Sequence, residues 1–498
     1  MEVKRLGVVS AVFALLILQV RASAELLPVK VWEVLVDSGV EKSAAAVYVD
    51  SSGYVYAAGY TGSQPNGRAD WQTVKISSTG TLLWKQTYDG GCGGFPCEGA
   101  GGITVDSSGN AYVNGTTFVL DTGGECRTIK YNPNGTVAWN VPRNDSGPGR
   151  SDSGGAIAAD PSGSLYIVGL SSSGGSGDFW RVIRYDPASG SELWTSTLTA
   201  SYIAPRAIQA DSSGNVYVMG EYHSLGGGNA NQFDLRLVKY NAANGSQIWD
   251  VTYDSGFRDV PLKMALDNSG NIYIVVKSSD NTTSDQWPVR ILKYNSGGSL
   301  VATVTLGPTA LRYYTGNTIS ITLGPDNKLY IINGPGALDS QNIQLLKYNL
   351  DGSLVWIFNY DSGDDDRPTD IALDNEGNIY MSADQFGGSG AGNWKHFRII
   401  KFGIPPSPPA GLTATVLQNL QVKLDWQASP STKTAQYNIY WDSGTGVVNY
   451  SVLLGSVPAS SITFTTGILS TGTYRFGVRA QGSNGAQEQN TTVVVTVP

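Results

Sequence analysis

The sequence predicts an all-β chain: a β-propeller of seven four-stranded units, its N-terminal strand closing the last unit, followed by a small β-sandwich. Three observations carry that expectation. A unit of about 54 residues recurs seven times, each copy holds the same turn signature, and the composition is 61 Gly, 26 Tyr and 12 Trp with only 15% charged residues. Glycine and aromatics with few charges suit short strands joined by tight turns. Amphipathic helical spacing is hard to find anywhere.

The unit's first fixed element is an Asp-x-x-Gly turn with Tyr three residues beyond. It occurs at Asp50 to Tyr56, Asp106 to Tyr112, Asp160 to Tyr166, Asp211 to Tyr217, Asp267 to Tyr273 and Asp374 to Tyr380, with a drifted copy from Gly324 to Tyr330. The second is Lys75-Ile76, Lys130-Tyr131, Arg184-Tyr185, Lys239-Tyr240, Lys293-Tyr294, Lys347-Tyr348 and Lys401-Phe402. The third is a Trp at 32, 84, 139, 194, 249 and 356, with Ala302 in the equivalent place of one copy. From Trp32 to Trp356 is 324 residues over six intervals, a mean of 54. Each unit therefore reads as four antiparallel strands, A before the Asp, B through the Tyr, C through the Lys and D through the Trp, which is the pattern of a propeller blade. Asp can bond the turn amides while Gly takes the positive φ of the hairpin. The chain opens on a lone D strand, Val29 to Val36, and the last unit stops after strand C at Phe402. The first segment should thus complete the seventh unit and remove an exposed edge.

These copies resemble the secreted β-propeller repeat (SBBP-type) family, whose consensus is similar to Asp-Ser-Ser-Gly-Asn-Val-Tyr-Val-x-Gly, over about residues 30 to 403. The resemblance implies an exported or surface propeller and leaves the function open. Residues 404–409, Ile-Pro-Pro-Ser-Pro-Pro, read as a stiff linker. Residues 410–498 read as short strands and resemble a fibronectin type III domain: Trp426 matches its buried Trp, Tyr437 to Tyr440 the next strand, and Leu469 to Tyr474 the tyrosine corner. No Arg-Gly-Asp is present, so the module is expected to act as a spacer or presenter.

Lys4 and Arg5, the apolar run from Leu6 to Leu18 and Ala22-Ser23-Ala24 predict a signal peptide over residues 1–24, with the propeller domain over 25–403 and a secreted or cell-surface destination. The formal charge of −8 falls to about −10 without that segment, which holds Lys4, Arg5 and Arg21 against Glu2. An acidic chain with scattered basic residues is a poor nucleic-acid binder. No later run is long enough for a membrane span, and a monomer is expected. Cys92 and Cys97, bracketing Gly-Gly-Phe-Pro, are the favoured disulfide, with Cys126 the alternative partner.

Residues present in every unit are expected to build the scaffold. Asn244 to Trp249 resembles the Gly-x-x-x-Trp docking motif of pyrroloquinoline-quinone dehydrogenases. Seven units rather than eight, and no adjacent-Cys pair or calcium cluster, favour packing between units, so no cofactor is expected. Function should sit where the copies differ, in the B–C and D–A loops at one end of the ring. The D–A loops hold Arg150, Asp152, Arg258, Asp259, Arg312, Tyr313, Asp366 and Arg367, charged and aromatic groups suited to a glycan or protein ligand. The run from Asp361 to Asp370, five Asp in ten positions, is the best calcium candidate, but it lacks EF-hand spacing, and no metal ligand is assigned. Only two His occur, His223 and His396, beside loops of different units. No Ser nucleophile elbow, His-Glu-x-x-His or phosphate loop is present, and no catalytic residue is assigned. The expectation is an exported, non-catalytic protein that binds an extracellular glycan or protein. The alternative is an extracellular carbohydrate-active enzyme with acids on the same face.

Overall fold

The recurring turns are held by their own aspartates. Asp50 accepts from the amides of Ser52 and Tyr54 at 2.9 and 3.0 Å and from the Tyr56 hydroxyl at 3.3 Å, while Gly53 sits at φ +78°. A left-handed residue costs glycine little. The drifted copy keeps the same result by other means. Asn327 takes the left-handed place at φ +58°, and Asp326 accepts from the Tyr330 hydroxyl at 3.0 Å. Asn tolerates that region better than most residues, so the tyrosine–aspartate bond survives the drift.

The computed structural model describes residues 25–36, 42–61, 70–90, 99–119, 123–144, 152–172, 178–200, 202–223, 233–279, 288–306, 319–334, 342–386 and 395–497. The signal segment, Cys92, Cys97, Arg150, Arg312 and Tyr313 lie outside them. The chain is all-β over the described residues, and no helix among them is long and apolar enough to cross a membrane. Between residues 29 and 403 the described strands form seven successive four-stranded antiparallel sheets, in a propeller-like arrangement. Sheets 1 to 6 cover residues 42–88, 99–143, 152–200, 202–253, 259–305 and 319–360, each with strands A to D in chain order. Sheet 7 takes strands A to C from residues 365–403 and its fourth strand from Val29–Val36, which pairs antiparallel with Lys395–Gly403.

The shared residues join one sheet to the next. Trp32 donates its indole N–H to the Ser78 carbonyl of sheet 1 at 3.0 Å, Trp84 to Pro133 at 3.0 Å, Trp139 to Pro187 at 3.2 Å, Trp194 to Ala242 at 2.8 Å and Trp249 to Ser296 at 3.2 Å. Each acceptor lies in the C–D turn of the following sheet. Trp356 precedes sheet 7, which has no C–D turn because its fourth strand comes from the N-terminus, and the buried Trp356 indole nitrogen has no hydrogen-bond partner. The Lys or Arg of strand C lies over the strand B tyrosine of its own sheet, as Lys130 does over Tyr112 at 5.3 Å.

Residues 410–497 form two facing sheets. One is Ala410–Val416, Val422–Gln427 and Thr463–Thr465; the other runs Leu453–Pro458, Thr434–Trp441, Tyr474–Gly482, Val493–Thr496. Leu453–Pro458 is a strand that the sequence pattern does not announce. It is an edge strand with half its residues exposed, so the usual apolar alternation is missing. Trp426 packs edge-on against Tyr437 at 5.4 Å in the core. The module rests on the A–B turn end of sheet 7. Lys433 donates to the Glu376 carbonyl at 2.9 Å, and Asn484 donates to the Asn378 side chain at 2.9 Å and the Ile404 carbonyl at 3.2 Å. Pro405, Pro406 and Pro409 of the connecting segment are buried.

Candidate functional site

The A strands of all seven sheets line one central channel of about 580 Å³. Six of them carry a β-bulge among the described residues, at Ala45, Gly101, Gly155, Arg206, Leu262 and Thr369. A bulge bends a strand and re-aims its side chain. At five of these places the residue is small or uncharged. At Arg206 it carries a guanidinium to the channel wall.

Comparing equivalent positions around the ring separates two levels of charge. One residue past the bulge stand Ala46, Gly102, Ala156 and Ala207 in sheets 1 to 4. Sheets 5 and 7 place Lys263 and Asp370 there, and sheet 6 pairs Ser320 in the same register. These last three meet: Lys263 Nζ lies 3.5 Å from Asp370 Oδ1, the Ser320 hydroxyl donates to that oxygen at 2.7 Å, and the Val47 amide donates to Oδ2 at 3.2 Å. The second level is four residues past the strand B tyrosine, nearer the loop end. The residues there are Tyr60, Thr116, Leu170, Glu221, Lys277, Gly334 and Asp384. Glu221 is 1% exposed and is held by Arg206, whose Nε donates at 3.0 Å, and by Arg258, whose Nη2 donates at 3.1 Å from the next sheet's approach. Lys277 has its ammonium pushed down to about 8, first by burial and then by Arg258, with Glu221 opposing and Arg206 adding to the shift. Asp384 accepts from the Ser43 hydroxyl at 2.6 Å and the Ala44 amide at 2.9 Å, which ties sheet 7 to sheet 1.

The candidate residues taken from the sequence fall into two groups. Arg258 reaches the inner rim, with its guanidinium 4.7 Å over the Phe233 ring. Asp152, Asp259 and Asp366 are buried at the first residue or two of their A strands. Asp259 accepts from the Ser255 amide at 2.8 Å and hydroxyl at 2.9 Å, and Asp366 from the Ser362 amide and hydroxyl, both at 2.9 Å. Arg398 also donates to Asp366 at 2.5 Å. Burial pushes both carboxyls up, against those hydrogen bonds. Arg367 stands opposite Asp384 in register. The sequence held a signal for the loop bonds: Asp-Ser-Gly at 254–256 and 361–363 sets a serine four residues before Asp259 and Asp366. Arg206, Glu221, Lys263, Lys277 and Asp384 emerge only when equivalent positions are aligned on the tyrosine.

The acids from Asp361 to Asp370 take separate partners. Asp361 accepts from Gly363, Asp366 from Ser362, and Asp370 faces the channel. The carboxylates that do converge among the described residues are Asp234, Asp254 and Asp259, with ligand atoms within 4.8 Å of one another. Burial and the charges of Asp254 and Asp259 push the Asp234 carboxyl up to about 6. Such a trio has the oxygen donors a divalent cation takes, though fewer than calcium usually gathers. Cys126 is buried, its thiol pushed up to about 11 by that burial.

Residues 178–286 match the family model described as outer membrane protein assembly factor BamB, a β-propeller repeat. No curated protein matches the chain. Among solved structures, polysaccharide lyase Uly1 is similar at 8% identity, over 76% of this chain and 100% of that one, with a TM-score of 0.49. Quinohemoprotein alcohol dehydrogenase ADHIIG from Pseudomonas putida HK5 is similar at 14% identity over 77% and 79%, with a TM-score of 0.42. The β-propeller domain of the Trilobed protease from Pyrococcus furiosus is similar at 10% identity over 66% and 90%, with a TM-score of 0.36.

Proposed function

We propose that this chain is an exported binding protein: a seven-bladed propeller that presents the loop end of its ring to an extracellular glycan or protein, with a fibronectin type III-like domain fixed to the opposite end. The observation that carries this reading is a division of labour among the side chains. The residues common to the copies are spent on turns and inter-sheet bonds, whereas the charged residues that differ between copies line the channel and its loop-side rim. The seven sheets lining one channel support the blade count, and the two-sheet module with its buried Trp426 supports the sandwich. The docking of that module on the A–B turn end supports a free loop face. The basic start, apolar run and Ala-Ser-Ala exit support secretion from residue 25. The binding residues proposed on this face are Arg150, Arg258, Arg312, Tyr313 and Arg367, with Cys92 and Cys97 as a disulfide; Asp152, Asp259 and Asp366 are buried at their strand starts and are not offered to a ligand.

The test is a glycan array and a pull-down with the chain starting at residue 25. A ligand lost when loop-face residues are substituted, with folding intact, supports the reading; sugar release without stable binding overturns it. A hydrolase reading rests on Asp234, whose carboxyl, pushed up to about 6, would hold a proton in mildly acidic solution beside two other acids. Sugar-release assays of an Asp234→Asn variant decide it.

A further inference from the structure

We propose that the central channel binds a small sugar acid, its carboxylate against Arg206 and Lys263 and its hydroxyls against Tyr48, Gln209 and Thr322. The inference goes beyond the loop-face reading above and does not depend on it. All five residues line the channel of about 580 Å³. Its cations keep free donors while its acids are taken. The Arg206 side chain is 48% exposed and spends Nε and Nη2 on one oxygen of Glu221, which leaves Nη1 without an acceptor among the described residues. Lys263 Nζ lies 3.5 Å from Asp370 Oδ1 and donates no hydrogen bond among those residues. Asp370 accepts instead from the Ser320 hydroxyl at 2.7 Å and the Val47 amide at 3.2 Å. The other acids lining the channel among the described residues, Asp50 and Asp374 at its turn end, accept from the amides of their own turns.

The neighbouring repeats show that the fold does not ask for these side chains. At the bulge that carries Arg206, sheets 1 to 3 have Ala45, Gly101 and Gly155, and at the Lys263 place sheets 1 to 4 have Ala46, Gly102, Ala156 and Ala207. Two residues further along the same face of the A strand, opposite the strand B tyrosine, sheets 3, 5 and 7 have Ala158, Ala265 and Ala372. Tyr48, Gln209 and Thr322 stand there in sheets 1, 4 and 6. None of these three side chains has a hydrogen-bond partner among the described residues. Arg206 and Lys263 come from the A strands of successive sheets, with Gln209 one turn of the pleat below.

The free donors call for an anion, and a guanidinium fork suits a carboxylate. A phenol, an amide and a hydroxyl each donate and accept, which matches the hydroxyls of a sugar and is wasted on a hydrocarbon chain. Asp370 beside Lys263, with Asp50 and Asp374 at the turn end, repels a second negative charge, so a monocarboxylate fits better than a dicarboxylate. The channel's volume is in the size range of small-ligand sites.

The experiment is calorimetric titration of the chain from residue 25 with galacturonate, with neutral galactose and with succinate. The first should bind and the other two should not. Lys263→Ala, which copies sheets 1, 3 and 4, should weaken binding about tenfold, one charge-assisted bond's worth. It should leave the melting temperature unchanged, since Asp370 keeps Ser320 and Val47. Asp370→Asn is the discriminating variant: it should tighten galacturonate binding severalfold and admit succinate, whereas a purely structural aspartate would show only a lower melting temperature. Galacturonate binding that neither variant moves overturns the site, as does galactose or succinate binding as tightly to the parent chain. If galacturonate does not bind, this inference falls alone, and a ligand found on the loop face would still stand.

Discussion

Removing the N-terminal strand tests whether the ring depends on a seam made from both ends of the chain. The perturbation is a chain beginning at residue 37, which lacks the fourth strand of sheet 7. Three losses are visible. Val36 is 2% exposed, and burying such a side chain is worth about 2 kcal/mol. The Trp32 indole bond to Ser78 is worth about 1 kcal/mol. Arg398, 3% exposed, would lose Glu33 at 2.6 Å and keep Asp366, a further cost of about 2 kcal/mol. The sum of about 5 kcal/mol approaches the whole stability of many proteins, and it omits the backbone bonds of seven register pairs.

Thermal unfolding followed by circular dichroism should show a midpoint lower by about 5–10 °C, or loss of the cooperative transition. A synthetic peptide of residues 25–36 added in trans should restore most of it, because binding to the folded state stabilises by mass action. A truncated chain that melts with the full one would refute the seam. So would a destabilised chain that the peptide does not rescue.

Gly245→Ala should lower stability by about 2–3 kcal/mol, because φ is +69° and the new Cβ would lie 2.5 Å from the Trp194 ring; urea unfolding measures it. Asn327→Gly should raise stability by about 0.5 kcal/mol by relieving the left-handed strain at φ +58°. Asp234→Asn should stabilise at pH 8 and do nothing at pH 4. The folded carboxyl titrates near 6 and the unfolded one near 3.9, so its favourable contribution is complete below the unfolded value and is lost as pH rises through about 6. Because that carboxyl is partly exposed, the gain at pH 8 is about 1 kcal/mol, read from melts across the pH range.

The four-strand unit was legible because its strongest bonds are local. The Asp-x-x-Gly turn, its tyrosine and the paired lysine all lie in one sheet, so their spacing survives in the sequence. The drifted turn shows the limit of such a pattern, since the Tyr330 partner moved to Asp326 while the bond remained. The loop aspartates were less legible. Asp259 and Asp366 look like free charges in a variable loop, but each is bound by a serine four residues earlier. The docking of the C-terminal module was not legible at all, because Asn484 meets Asn378 across 106 residues. The rim cluster is intermediate. No local motif joins Arg206, Glu221, Arg258 and Lys277, and it takes the tyrosine alignment together with the bulge to place them side by side.

That cluster invites a last question, whether its charges serve the fold. Buried ion pairs are weak stabilisers, and replacing a whole pair with apolar residues of similar size is often neutral or favourable. The ring contains the comparison, since Leu170 occupies in sheet 3 the place of Glu221 in sheet 4 and Lys277 in sheet 5. A triple variant, Glu221→Leu with Lys277→Leu and Arg206→Ala, makes sheets 4 and 5 resemble sheet 3, and the one charge that loses Glu221 and stays is Arg258, whose side chain is 38% exposed. The variant's stability should stay within about 1–2 kcal/mol of the parent by urea unfolding. If the variant unfolds, the charges are part of the scaffold and the comparison with sheet 3 fails.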